Sequence, residues 1–246
     1  MATSEAIAPG LPMGKLQSLN EVVREGNSRL HPSLCNPNYL VLRARRLIFE
    51  KWLREIDRDG LTVLDVGGRI QPYRALLGDR VGRYFAVDPL ATALVNVVGR
   101  GEDLPFASDS FDLIFCTQVL EYIPTPGKVI DEIHRVLKPG GILLLSVPAL
   151  SPLDSDEEYW RFYPSCLGAL LAPFSKIEIA PEGGSITGVC RTINSSLNTF
   201  AKVRPVRTVL QATVFPAVNL LGLAMESLAR SNNQQFTANY SVRAQK

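Results

Sequence analysis

Leu61-Thr62-Val63-Leu64-Asp65-Val66-Gly67-Gly68 decides the fold of this chain. Its first six residues form a short apolar run with glycine on either side, the pattern of a strand buried on both faces of a parallel sheet. Working outward, Tyr84 to Val87 is a second such run ending at Asp88, and Asn96 to Val98 is a weak third. Phe111 to Cys116 and Ile142 to Val147 predict the fourth and fifth strands. Between these two, Val129, Ile130, Ile133, Val136 and Leu137 mark one helical face, which Pro139-Gly140-Gly141 terminates. Upstream, Leu40, Ala44, Leu47, Ile48 and Ile56 recur at helical spacing over Tyr39 to Ile56, and Gly60 ends that helix. Strands alternating with helices predict right-handed crossovers and a doubly wound α/β sheet. Ligands on such a sheet sit at the carboxyl ends of its strands, near the switch point.

Composition bounds the rest. At 246 residues, 46% hydrophobic and 20% charged, the chain can bury a sizeable core, which excludes disorder throughout. A net charge of +2 gives no electrostatic ground for nucleic acid as a partner. Arg43, Arg45 and Arg46 form a local basic cluster, expected to be a solvated helix face. The four cysteines, Cys35, Cys116, Cys166 and Cys190, are widely spaced without a C-x-x-C pair, so neither zinc nor a disulfide framework is expected. A reducing, cytoplasmic location follows most simply. Met1 to Gly14 has no basic start followed by an apolar run, so no secretory signal is expected. Met1 to Asn38 is rich in Pro, Gly, Ser and Asn, with only Leu16, Leu19, Val22 and Val23 hinting at a short helix, and is expected to be a flexible arm.

Chemistry collects on the strand tips. Asp65 ends the first strand, and Gly67-Gly68 follow where backbone must pass close to a ligand. Asp88 ends the second, where a carboxylate can accept hydrogen bonds from both ribose hydroxyls of an adenosine. Asp103 and Leu104 follow the third, placed to offer a carboxylate to an exocyclic amine and an apolar side chain to a ring face. Taken singly, each of these residue types serves more often as a cap or a turn. Their joint order is what points to a nucleotide-type site.

These pieces resemble the class I S-adenosylmethionine-dependent methyltransferases, in particular the type 11 group found in bacterial glycan and lipopolysaccharide gene clusters. The resemblance rests on Val63 to Gly68 with Pro72-Tyr73, Val87-Asp88, and Glu102-Asp103-Leu104-Pro105-Phe106. Ser110-Phe111-Asp112, Gln118-Val119-Leu120-Glu121 and Arg135 to Gly141 complete it. It implies S-adenosylmethionine as cofactor, with Gly67 and Gly68 lining its methionine and ribose and Asp88 holding the ribose. It also implies Asp103 and Leu104 around adenine, and Thr117 and Gln118 near the amino-acid moiety. Two departures stand out. The family's D-x-G-x-G loop carries Arg69 at its second glycine, which costs about 1 kcal/mol if that residue needs a positive φ. Tyr122 stands where many relatives have His after the Glu, a ready general base.

Methyl transfer to a hydroxyl needs alignment, exclusion of water and a base. Glu121 and Tyr122, after the fourth strand, are the candidate catalytic residues, with a helix-terminal carboxylate and a packing residue as the alternatives. His134 lies inside a helix and is expected to be structural; His31 precedes Pro32 in the arm. After the fifth strand, Glu158-Tyr159-Trp160-Arg161-Phe162-Tyr163 interleaves aromatics with Arg, which suits a glycan or other ring-bearing small-molecule acceptor. Tyr159, Trp160 and Arg161 are the candidate acceptor residues; no metal ligands are expected. The competing functions are a non-catalytic binding module with a degraded cofactor loop, which Arg69 would favour, and a nicotinamide dehydrogenase, disfavoured because G-x-G-x-x-G is absent.

Lys176 to Ala180 predicts a sixth strand, and Phe236 to Ala244 a last, antiparallel strand completing a Rossmann-like seven-stranded sheet. The resulting organisation is an arm over 1–38, a methyltransferase domain over 39–182 and 234–246, and a helical insertion over 183–233. In the insertion Ile186, Val189, Ile193, Leu197 and Phe200 fall at helical spacing, and Thr208 to Met225 carries no charge. About eighteen uncharged residues are near the lower limit of a membrane span, and Gln211, Pro216 and Asn219 interrupt them. Packing on its own domain is the default. A homodimer contact, or docking at the inner face of a membrane with Arg204, Arg207 and Arg230 flanking, are the other two expectations.

Overall fold

The computed structural model describes residues 18–153, 155–229 and 234–246. Seven strands form one sheet: β1 (Leu61–Val66), β2 (Val81–Asp88), β3 (Val97–Val98), β4 (Phe111–Thr117), β5 (Leu137–Pro148), β6 (Lys176–Pro181) and β7 (Asn239–Gln245). Their order is β3-β2-β1-β4-β5-β7-β6. Pairing is parallel from β3 through β5, and β7 runs antiparallel between β5 and β6. The expected doubly wound sheet with an antiparallel last strand is therefore present, and its switch point lies between β1 and β4.

Alternation along each strand sends neighbouring side chains to opposite cores. Leu64, Val66, Ile114, Cys116, Leu143 and Leu145 join one cluster with Val129, Ile130, Ile133 and Val136 of α3 (Pro126–Val136). Val63, Leu113, Phe115 and Leu144 join the other, against Phe49, Trp52 and Leu53 of α2 (Tyr39–Arg54). Leu137, read as helical, opens β5 instead, because α3 ends at Val136 and the next residue turns extended. The β1–β2 crossover also departs from the expected alternation: it carries only short 3₁₀ turns over 74–80, kinked at Gly78.

The flexible-arm expectation is corrected for the residues described; Met1 to Gln17 lie outside them. α1 (Leu19–Leu30) starts with Ser18, whose hydroxyl accepts from Glu21 N–H while the Glu21 carboxylate accepts from Ser18 N–H at 2.9 Å. This reciprocal cap satisfies two donors that a short helix would otherwise leave open. Val22 and Leu30 are buried, and a Cβ at Gly26 would lie 2.4 Å from the Ile70 carbonyl, so α1 is packed against the loop after β1.

α4 (Pro164–Leu170) follows β5. The insertion contains α5 (Ser185–Asn198), α6 (Arg204–Val209) and α7 (Phe215–Ala229), the last two joined by one π-type turn over Leu210–Val214. It rests on α2 and on the segment before it. Asn219 Nδ2 donates to Leu34 O at 2.8 Å and Asn36 O at 3.0 Å, and Asn194 Nδ2 donates to Asn219 Oδ1 at 3.0 Å. Arg230, expected to flank the insertion, lies outside the described residues, as does Asp154.

Candidate functional site

The candidate site is assembled where β1, β2 and β4 end. Asp65 is 3% exposed and accepts a hydrogen bond from Tyr84 Oη at 2.8 Å. Burial pushes its carboxyl up to about 7 against the Tyr84 bond, with a smaller push from the Asp88 charge. The chain then turns at Gly67, φ +77°, where a Cβ would sit 2.3 Å from Val119 Cγ2. At Gly68 a Cβ would be 2.7 Å from both Asp65 Cβ and Asp65 O. Gly67 N–H donates to Val87 O at 2.8 Å, so the glycine pair draws the tips of β1 and β2 together. No side chain fits in that turn.

Arg69, the departure from the family's glycine loop, causes no backbone misfit. Among the described non-glycine residues positive φ occurs at Gln71, Asp109 and Gln118, not at Arg69, so the expected cost does not arise. Its guanidinium meets Glu25 of α1 at 3.3 Å. Asp88 is 7% exposed and accepts from Leu90 N–H at 2.8 Å. Burial raises its carboxyl, opposed first by that N–H and then by the Arg69 charge.

Asp103 is exposed on the loop after β3. Leu104 beside it is 2% exposed and belongs to the hydrophobic core, which corrects its expected place on an adenine ring face. Its N–H donates to Glu132 Oε2 at 2.8 Å, while Arg135 Nη2 and Nη1 donate to Leu104 O at 2.9 Å and Phe106 O at 2.8 Å. Glu132 and Arg135 of α3 thus hold the whole loop, a task not visible in the motifs. In the same way Asp112 accepts from Thr62 N–H and from Lys138 Nζ, both at 2.9 Å, which ties two of the family's motifs to each other.

Thr117 and Gln118 follow at the tip of β4. Gln118 takes φ +55°, its N–H donates to Ser146 O at 2.8 Å, and its amide reaches Ser146 Oγ at 3.3 Å. A non-glycine residue held in the left-handed region at a strand tip marks a place where the surroundings over-determine the backbone. Glu121 is 2% exposed, and its Oε2 is buried without a hydrogen-bond partner. Burial pushes its carboxyl up to about 8, opposed first by its own backbone N–H and then by Arg45. The Glu121 carbonyl accepts from Tyr159 N–H at 2.7 Å and Trp160 N–H at 3.3 Å, and Trp160 Nε1 donates to Ile123 O at 2.9 Å. These bonds fasten the loop after β5 onto the turn after β4, with Tyr122, Tyr159 and Trp160 exposed around Glu121.

Arg161 is not available to an acceptor as expected. Its guanidinium is spent on Ser151 O at 3.2 Å, Trp160 O at 2.9 Å, Pro152 O at 3.0 Å and Glu158 Oε2 at 2.6 Å, all within its own loop. Arg45, expected to be solvated, is 3% exposed and bonds Glu182 Oε1 at 2.8 Å through Nε. That same oxygen accepts from Ser146 Oγ at 2.6 Å and Ser241 Oγ at 2.8 Å. The Asn239 amide pairs with that of Gln118 at 3.1 Å, linking this buried network to the tip of β4. No local signal announces the network, because its members come from α2, β5, β7 and the end of β6. His134 packs edge-on against Phe174, and His31 Nδ1 meets Arg46 Nη1 at 2.9 Å; neither is at the strand tips. A cavity of about 650 Å³ lies between α1 and the start of β2, lined by Val23, Gly26, Gln71, Arg74 and Tyr84, and it holds none of the site carboxylates.

Residues 64–145 match the family model of a methyltransferase domain. Over 111 residues the chain is 35% identical to an uncharacterized methyltransferase of Mycobacterium avium, covering 40% of this chain and 44% of that protein. Over 93 residues it is 31% identical to an uncharacterized protein of Methanocaldococcus jannaschii, covering 38% and 43%. The match spans less than half the length of these curated relatives. Among solved structures, the fold is shared by a phosphoethanolamine N-methyltransferase 2 of Haemonchus contortus in complex with S-adenosyl-L-methionine, at 15% identity, 90% of this chain, 60% of that one and a TM-score of 0.53. The same enzyme with phosphomonomethylethanolamine and S-adenosylhomocysteine gives 14%, 89%, 60% and 0.53. The matched segment runs from β1 into β5, so the strands whose tips carry the candidate site are the part of this chain that is similar to the methyltransferase-domain family.

Proposed function

We infer that this chain is an S-adenosylmethionine-dependent methyltransferase that moves the methyl group to a hydroxyl of a glycan or comparable small metabolite. The observation that carries this reading is the pairing, on one sheet edge, of Asp88 and solvent-open Asp103 with a buried Glu121 beneath an aromatic rim. The residues fit the cofactor: the turn at Gly67-Gly68 leaves bare backbone at the strand tip, and Arg69 is held off by Glu25. Asp88 would hold the ribose, Asp103 the adenine amine, and Thr117 and Gln118 the amino-acid end. When bound, the cofactor supplies a methyl group already activated by its sulfonium.

The chain's own part is then alignment and proton removal. Tyr122, Tyr159 and Trp160 offer ring faces on which a sugar or another ring can stack. Glu121, raised to about 8 and with one oxygen unpartnered, would take the proton that the acceptor hydroxyl loses. A carboxylate with a value so near the working pH is suited to that role.

Thermal shift and calorimetry with S-adenosylmethionine, its demethylated product and NAD test the reading. Stabilisation by the first two, lost in Asp88→Ala, supports it; a response to NAD alone overturns it. For acceptor chemistry, transfer of a labelled methyl group to a panel of glycans and small hydroxyl compounds is measured against pH. The rate should climb towards a midpoint near pH 8 as Glu121 ionises, and Glu121→Gln should remove that limb and about 10²–10⁴ in rate.

A further inference from the structure

The helices of the insertion are inside out. On α5 the buried positions include Thr187, Arg191 and Asn194, while Val189 and Ile193 are each 44% exposed and Phe200 just beyond is 65% exposed. On α7, Asn219 is fully buried, and Glu226 turns inward to accept from Gly184 N–H at 2.8 Å and Thr187 N–H at 2.9 Å. Its outward positions are Leu220, Leu221, Met225 and Leu228, the last 81% exposed. A helix that faces water shows the reverse arrangement. Arg204 to Leu228 is long and apolar enough to cross a membrane, yet only 22% of its apolar window is buried.

We propose that this face docks on an anionic lipid bilayer, with the α6–α7 helix lying in the plane of the interface. Charge selects the occupant. Between Glu182 and Glu226 the sequence holds no acidic residue, while Lys202, Arg204 and Arg207 stand exposed and interleaved with exposed Val203, Val206 and Val209 at the start of the same apolar stretch. A second copy docked through a two-fold axis would bring two such cationic surfaces together, whereas an anionic leaflet attracts them. Spanning is opposed by the inner face: Leu210 and Phe215 are buried, and insertion across the bilayer would break the bonds from Asn219 to Leu34 and Asn36. Docking on one side keeps them. The surface is also joined to the acceptor side, since Arg191 Nη1 donates to Ser151 Oγ at 2.7 Å in the loop after β5.

The test is flotation of the full chain with vesicles of phosphatidylglycerol and phosphatidylcholine, against vesicles of phosphatidylcholine alone. Co-flotation with the first and weak recovery on the second are expected. Replacing Lys202, Arg204 and Arg207 together by Gln should lower affinity for the anionic vesicles about 100-fold, at roughly 1 kcal/mol per cation. Leu220→Ser with Leu221→Ser should lower it further while circular dichroism stays unchanged. No flotation of folded protein, equal recovery on both vesicle types, or a lipid-free dimer split by the serine pair would each overturn the proposal. None of these readouts depends on cofactor binding or methyl transfer, so its failure is distinguishable from that of the enzymatic reading.

Discussion

The sheet and the helical insertion are built on opposite rules. Across β1, β4 and β5 the interior is apolar on both faces, and the polar groups that are buried there sit towards the carboxyl tips, where the candidate site is assembled. In α5 and α7 the interior is held by amide and carboxylate bonds, and the exterior is apolar. Burial of hydrocarbon stabilises the first region. Directed polar bonds hold the second onto it, so its solubility and its stability are governed by different surfaces.

The largest effect should come from removing hydrocarbon on the sheet side. Trp52 is 1% exposed, packs beside Phe49 at a ring separation of 6.1 Å, and fills the space between α2 and the sheet. Trp52→Ala should therefore cost about 3–5 kcal/mol in a denaturant titration. A loss below about 1 kcal/mol would show that α2 is not part of the sheet's core, and the contrast between the regions would lose its first half.

The tips of the sheet give a second, pH-dependent contrast. Asp65 has a folded value of about 7 against an ordinary 3.8, so between these the folded chain keeps a proton that the unfolded chain has released. The unfolded state then binds fewer protons, and stability falls as pH rises through that window, levelling above it. From pH 5 to 8 the loss from this group is about 2–3 kcal/mol. Asp65→Asn should reduce the slope below about pH 7 in cofactor-free protein and leave the part that the raised carboxyls of Glu121 and Asp88 contribute, whereas an unchanged slope would place the titration elsewhere.

How much of this was legible differs between the two regions for the same physical reason. Strands buried on both faces announce themselves as apolar runs, so Leu61 to Val66 and Phe111 to Cys116 could be placed within a residue, and the carboxylates at their ends followed. The capping pair of Ser18 and Glu21 was also written in the sequence, three residues apart, but the composition around it masked a helix that packs. Arg45 was not legible. Its partner Glu182 is 137 positions away, and a cation on an amphipathic helix reads as solvated until the fold brings a carboxylate to it. Leu104 was misplaced because a motif gives position along the chain, not the direction of a side chain. The insertion misled more deeply, since periodicity shows that a helix has an apolar face without saying which way that face points.

Asn219→Leu tests the insertion's own rule. Leucine adds hydrocarbon to a fully buried position, so a core governed by apolar burial would gain. Here the change leaves Leu34 O without its partner and takes one bond each from Asn36 O and Asn194 Nδ2, and a loss of about 2 kcal/mol is expected in the same titration. A gain in stability would mean that the inner face is an ordinary hydrophobic seam.

The smallest effect sharpens the comparison most. Leu221 lies on the same helix two positions on from Asn219, is 57% exposed, and touches water in the free protein. Leu221→Ser removes no buried contact, so unfolding should shift by no more than about 0.5 kcal/mol. What should change is behaviour at a lipid surface, where the leucine loses its favourable transfer into the interface. Stability that is indifferent to position 221 but sensitive to 219 assigns the helix's polar face to the protein and its apolar face to the surroundings. If both substitutions destabilise alike, the outer row of α7 is covered within the chain, and the opposition between sheet and insertion disappears.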